Sequence, residues 1–99
     1  MRPIHLARLD KVRPVLVLTR DVVRPYLTAV TVAPITTRKR GLSTEVEVGP
    51  SNGLDRDSVV SCDNISTIRA DQLLQPIGFL LPGQELRLTA AVVAAFDLD

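Results

Sequence analysis

Five consecutive residues limit this chain more than any others: Pro14, Val15, Leu16, Val17 and Leu18. A proline has no N–H, so it suits the first residue of a strand and not the middle of a sheet. The four apolar residues after it form an unbroken run. That is the pattern of a strand covered on both faces rather than one. The fold must therefore supply apolar cover on two sides of this strand. Arg13 then stands on a rigid ledge at the strand's mouth.

Ninety-nine residues imply one domain, spanning 1–99. Hydrophobic residues make up 45%, but only Tyr26, Phe79 and Phe96 are aromatic, so the core must be aliphatic. Much of it is β-branched, which favours strands. A chain this small exposes much of its surface, which makes a stabilising oligomer reasonable. The single cysteine, Cys62, forbids an internal disulfide and fits a cytoplasmic setting. One histidine and one cysteine leave structural zinc without ligands, and no cofactor is expected. No leader-like apolar run opens the chain, and no apolar run is long enough to span a membrane. The net charge of +1 conceals an asymmetry: residues 1–40 carry +7 and residues 41–99 carry −6. A basic half offers a polyanion an electrostatic footprint if folding gathers it on one face, and offers none if strand pairing interleaves the two halves.

Along the chain, Pro3–Leu9 reads as a first strand, and Asp10-Lys11 as a tight link to an antiparallel second strand. Residues 20–27 form an excursion in which Pro25 stops any helix and keeps Arg24 extended. Thr28–Ile35 is a third strand, Thr36–Gly41 a basic loop, and Ser43–Val48 a half-exposed fourth strand with Val46 and Val48 inward. After the turn cluster at Gly49–Gly53, Ser58–Cys62 is a fifth strand. Residues 69–75 hold one helical turn, and Pro76–Leu81 is a last short strand. A helix follows from about Gln84 to Phe96, with one apolar stripe at Leu86, Ala90, Val93 and Phe96 and another at Leu88, Val92 and Ala95. Such a helix covers the sheet and also meets a partner, or else sinks deeper into its own fold. Short strands with one terminal helix make a mainly β fold, a small SH3-like barrel.

Four segments resemble the MazF/PemK-type toxins, and most of all their short mycobacterial members. Arg13-Pro14-Val15-Leu16-Val17-Leu18 is similar to the family's "RPvvVl" strand, and Val32-Ala33-Pro34-Ile35-Thr36-Thr37 to its "vapiT" strand end. Residues 57–68 are similar to "SvVlcdqirtid", and Ile77-Gly78-Phe79-Leu80 to "iGxL" before the last helix. The resemblance implies a MazF/PemK/CcdB-like barrel, a homodimer, and metal-independent cleavage of single-stranded RNA at short sequences. It also implies translation block and growth arrest, relieved by a cognate MazE-like antitoxin. By position it puts the catalytic arginine at Arg13, the catalytic threonine at Thr36, and an acid–base carboxylate at Asp63. Ser61 falls where some relatives carry a second arginine. The family's usual long loop before the "RP" strand is cut here to Asp10-Lys11-Val12, so cover for Arg13 is expected from residues 36–40 or from a second subunit.

These residue types suit the chemistry. Attack of a 2′-OH on phosphorus needs a base, a proton for the leaving oxygen, and positive charge beside the crowded phosphorane. Arg13 brings a planar fork and a permanent charge, which suits electrostatic stabilisation better than proton donation. Thr36 can hydrogen-bond the phosphate or the 2′-OH, or simply cap the strand end. Asp63 is the candidate base, with a structural role at the strand end as its alternative. His5 alone titrates intrinsically near neutrality and is a weaker candidate for the same task. Lys11, Thr37, Arg38, Lys39, Arg40, Ser61 and Asn64 are expected to contact RNA, with little aromatic stacking available. The rivals are a non-catalytic barrel toxin and an RNA- or ribosome-binding module that acts by binding alone. An aspartate site at Asp55, Asp57 and Asp63 is the one arrangement that would bring in a metal.

Overall fold

The fold comes from a computed structural model that describes residues 1–98. Seven strands and one helix are arranged as β1 (Pro3–Arg8), β2 (Val12–Val17), β3 (Ala29–Thr36), β4 (Glu45–Val48), β5 (Ser58–Ser61), β6 (Ser66–Arg69), β7 (Leu73–Phe79) and α1 (Pro82–Phe96). The curled antiparallel sheet runs β4-β5-β3-β2-β1-β7, and β6 pairs with the free length of β3 beside β5.

The apolar run of β2 explains this shape. Val15 and Val17 point into one cluster, with Ala7, Val30 and Val32, closed by Ile68 and Leu73. Leu16 points the other way, into a cluster with Ile4, Ala33, Ile35, Val46 and Val60 that α1 covers through Leu88 and Ala91. The central strand thus has apolar cover on both faces, and its three valine and leucine side chains are fully buried. Curling of the sheet covers one face, and the helix covers the other.

The helix starts at Pro82, where the missing N–H costs nothing. Of its two stripes, Leu88, Val92 and Ala95 pack inward, whereas Leu86 is 77% and Phe96 55% exposed. The helix therefore covers the sheet and leaves an apolar face outward.

Three readings of the sequence need correction. Arg24 is not extended: Arg24–Tyr26 form a 3-10 turn in which Pro25 occupies the first turn, where a proline is tolerated. β6 has no counterpart in the reading of residues 57–68. It is short and mostly exposed, and only Ile68 packs inward, so it lacks the apolar alternation that marks a strand. The last strand begins at Leu73 rather than Pro76, because the helical turn before it is confined to Ala70–Gln72.

Candidate functional site

β2 and β3 are joined in the register Val15↔Pro34, Leu16↔Ala33, Val17↔Val32. Continued by two residues, that register puts Arg13 level with Thr36, and strand alternation puts both on the Val15 face. After Pro34, however, β3 turns to β5, with Thr36 opposite Val59. Arg13 and Thr36 thus mark the two sides of the point where the strands diverge.

Thr36 opens a cleft of about 420 Å³ lined by Pro34, Thr36, Arg38, Arg40, Leu42, Glu45, Ser61, Asp63 and Asn64. Six of the residues singled out from sequence meet here: Thr36, Arg38, Arg40, Ser61, Asp63 and Asn64. The Thr36 hydroxyl oxygen accepts the Arg38 N–H at 3.1 Å, so its own O–H is free to donate. The capping role and a donor role are therefore compatible. One Asp63 oxygen accepts the Thr44 O–H at 2.6 Å, and Asn64 donates to the Ser61 hydroxyl at 2.8 Å. Cys62, between them, turns into the core; burial, and then the neighbouring Asp63 charge, push its thiol pKa upward.

The basic loop is ordered by a residue that sequence reasoning passed over. The Glu45 carboxylate accepts the backbone N–H groups of Arg40, Gly41 and Leu42 at 2.9–3.2 Å. Gly41 lies in the left-handed region, φ +71°, which lets these three N–H groups converge. In sequence Glu45 looked like one solvated face of a strand. The available signal was a carboxylate four residues beyond a loop glycine.

Arg13 does not line this cleft. Its Nε and a terminal nitrogen donate to the two oxygens of Asp10, at 3.0 and 3.2 Å, as a fork on a carboxylate. The hydrogen bond from Arg13, reinforced by the Lys11 backbone N–H, holds the Asp10 carboxyl down at about 2. The shortened loop, expected to leave Arg13 to residues 36–40 or a second subunit, itself supplies one orienting group, Asp10. The fork leaves Arg13 with further N–H donors, and its side chain is 39% exposed.

The other expected contacts are distributed around this point. Lys11 is exposed at the β1–β2 turn. Lys39 lines a separate depression together with Glu47 and Asp57. Thr37 faces a second cleft, on the side of Pro14. His5 pairs with Val15 in the sheet, and its Nδ1 lies 2.7 Å from the Leu74 carbonyl oxygen; it is a satisfied strand histidine, away from the cleft. Among the described residues no three His, Cys, Asp or Glu side chains are grouped as metal ligands, and no helix is long and apolar enough to cross a membrane.

Residues 4–96 match the family described as "PemK-like, MazF-like toxin of type II toxin-antitoxin system". The chain belongs to this toxin family. The match takes in every strand except the first residue of β1, and all of α1. The chain is 64% identical to Endoribonuclease MazF3 of Mycobacterium tuberculosis over all 99 of its residues and 96% of that relative. Its fold superposes on the M. tuberculosis toxin MazF-mt6 with a TM-score of 0.97 at 63% identity, covering 99% of each chain. A more distant likeness is an endoribonuclease in complex with its cognate antitoxin from a mycobacterial species, with a TM-score of 0.87 at 26% identity, covering 98% of this chain and 93% of that one.

Proposed function

We propose that this MazF-family endoribonuclease toxin cuts single-stranded RNA at short sequences without a metal ion, and that Arg13, Thr36 and Asp63 carry the reaction. One observation supports this reading above the others. Thr36, Ser61, Asp63 and Asn64 open into one cleft with Arg38 and Arg40, beside the strand divergence where Arg13 stands.

The substrate 2′-OH attacks phosphorus, and the bond from phosphorus to the 5′ oxygen breaks. The products are a 2′,3′-cyclic phosphate and a free 5′-OH. Asp63 takes the 2′ proton on the oxygen not occupied by Thr44. Thr36 donates its free O–H to a phosphate oxygen. Arg13, already oriented by Asp10, turns its remaining N–H donors to the charge that develops on the phosphorane. A proton must also reach the departing 5′ oxygen, and water in the open cleft supplies it. Arg38, whose backbone bonds Thr36, and Arg40, whose backbone is held by Glu45, track the strand's phosphates.

We place this chemistry in one toxin domain that works in the cytoplasm as a homodimer and is neutralised by a MazE-like antitoxin. The direct test replaces Arg13 by Ala. The variant is expected to keep its fold by circular dichroism and to lose at least about a hundredfold in RNA cleavage. A folded variant with full activity contradicts the mechanism. Wild-type protein that binds an RNA pool and leaves it intact favours a binding module instead.

A further inference from the structure

Adjacent residues at the strand divergence face opposite ways. Arg13 and Thr36 lie on the catalytic face, and Pro14 and Thr37 open into a second cleft of about 450 Å³ behind it. Leu6, Pro14, Leu54 and Ile77 give this cleft an aliphatic floor, and Thr37, Asp55 and Arg56 give it a polar rim. Asp55 and Arg56 are exposed and belong to none of the ion pairs among the described residues.

The wall that carries them is rigid. Gly53 and Gly78 lie against one another so closely that a Cβ on either would sit 1.9 or 1.8 Å from a carbonyl oxygen. Buried Asn52 beside them donates to the Phe79 carbonyl at 2.9 Å and to Gln84 of α1 at 2.7 Å. The rim is thus presented by a loop clamped at its base, which is what a recognition site needs.

We propose that this second cleft is a nucleobase subsite, in which a base next to the scissile phosphate lies on Pro14 and Ile77 and is read along its edge by Asp55 and Arg56. The proposal rests on the nuclease reading above. A flat, apolar face with polar edges is the shape of an unstacked base, and single-stranded RNA offers its Watson–Crick edge freely. An acidic side chain selects a base that presents an amino donor, and an arginine one that presents an acceptor beside it. Uracil, whose single N3–H donor lies between two carbonyl oxygens, sets a carbonyl against the second carboxylate oxygen and is disfavoured. The phosphate between this base and its neighbour then crosses the strand end from Thr37 to Thr36.

The test digests an RNA pool randomised around the cut with wild type, Asp55→Asn and Arg56→Ala, and sequences the ends. Asp55→Asn exchanges a pure acceptor for a side chain that also donates. One position beside the cut is expected to shift by about tenfold towards uracil, with the other positions retaining their preferences. Arg56→Ala is expected to relax the same position. Base preferences unchanged at every position in both variants overturn the subsite, even if overall activity falls, because a structural role lowers the rate without changing the preference. A wild type that cuts no RNA sinks the nuclease reading and this proposal with it.

Discussion

Arg13 is the residue on which most of the proposed chemistry depends, and the side chain holding it is Asp10. The Asp10 carboxyl sits near 2, below its ordinary 3.8, because the ion pair favours its charged form. A depressed carboxylate contributes above its unfolded value and is lost as pH falls through its folded one. The Arg13–Asp10 fork is therefore complete from about pH 4 upward and opens near pH 2. Carboxyl NMR titration is expected to give Asp10 a midpoint near 2, and the cleavage profile above pH 5 is expected to carry no Asp10 step. A midpoint at 4 would mean that the fork does not persist in solution. Their pairing is legible in sequence only in hindsight. Asp10 reads as a turn former, and the clue is its spacing of three residues from an arginine across a tight hairpin. Thr36 and Asp63 were singled out by the resemblance and the loop arginines by a basic run next to Thr36, and the fold brings Thr36, Arg38, Arg40 and Asp63 to one cleft. The association of Arg40–Leu42 with Glu45 was not legible, since it depends on how the loop folds back.

At the scale of elements, the apolar run of β2 foretold a strand covered on both faces, and the helix periodicity foretold the cover for one of them. β6 escaped because edge pairing, not burial, defines it, and edge pairing leaves little trace in polarity. The close contact of Gly53 and Gly78 was also hidden, because it joins segments far apart in sequence. It carries a prediction. Gly78→Ala is expected to destabilise the fold by about 3 kcal/mol or more, since the backbone must move to admit the methyl group. Gly83→Ala, in open space on the exposed side of α1, is expected to be neutral or stabilising by up to about 1 kcal/mol. Urea unfolding of the two variants separates them. Equal stability would mean that the Gly53 turn and β7 are not in contact.

At the scale of the molecule, the charge asymmetry of the sequence does not become a single basic face. Arg2 pairs with Glu85 and Arg13 with Asp10, and Arg38 and Arg40 share their cleft with Glu45 and Asp63. Part of the N-terminal charge is thus neutralised by folding, and the remainder is spread, with Arg38 and Arg40 at the cleft and Arg20 and Lys39 in separate depressions. RNA binding by the uncut complex is expected to weaken steeply between about 50 and 200 mM salt, in proportion to the phosphates contacted. The outward stripe of α1 has a second consequence. Sedimentation is expected to show a dimer at micromolar concentration, with Leu86→Lys or Phe96→Lys shifting it towards monomer. A wild type that remains monomeric contradicts the proposed assembly.

The most direct measurement is the chemistry of the cut ends. Wild-type protein digests single-stranded RNA in excess EDTA, and both new termini are determined. The account predicts cuts at a short defined sequence, each leaving a 2′,3′-cyclic phosphate and a 5′-OH. Cleavage abolished by EDTA, or products ending in a 3′-OH and a 5′-phosphate, would contradict it.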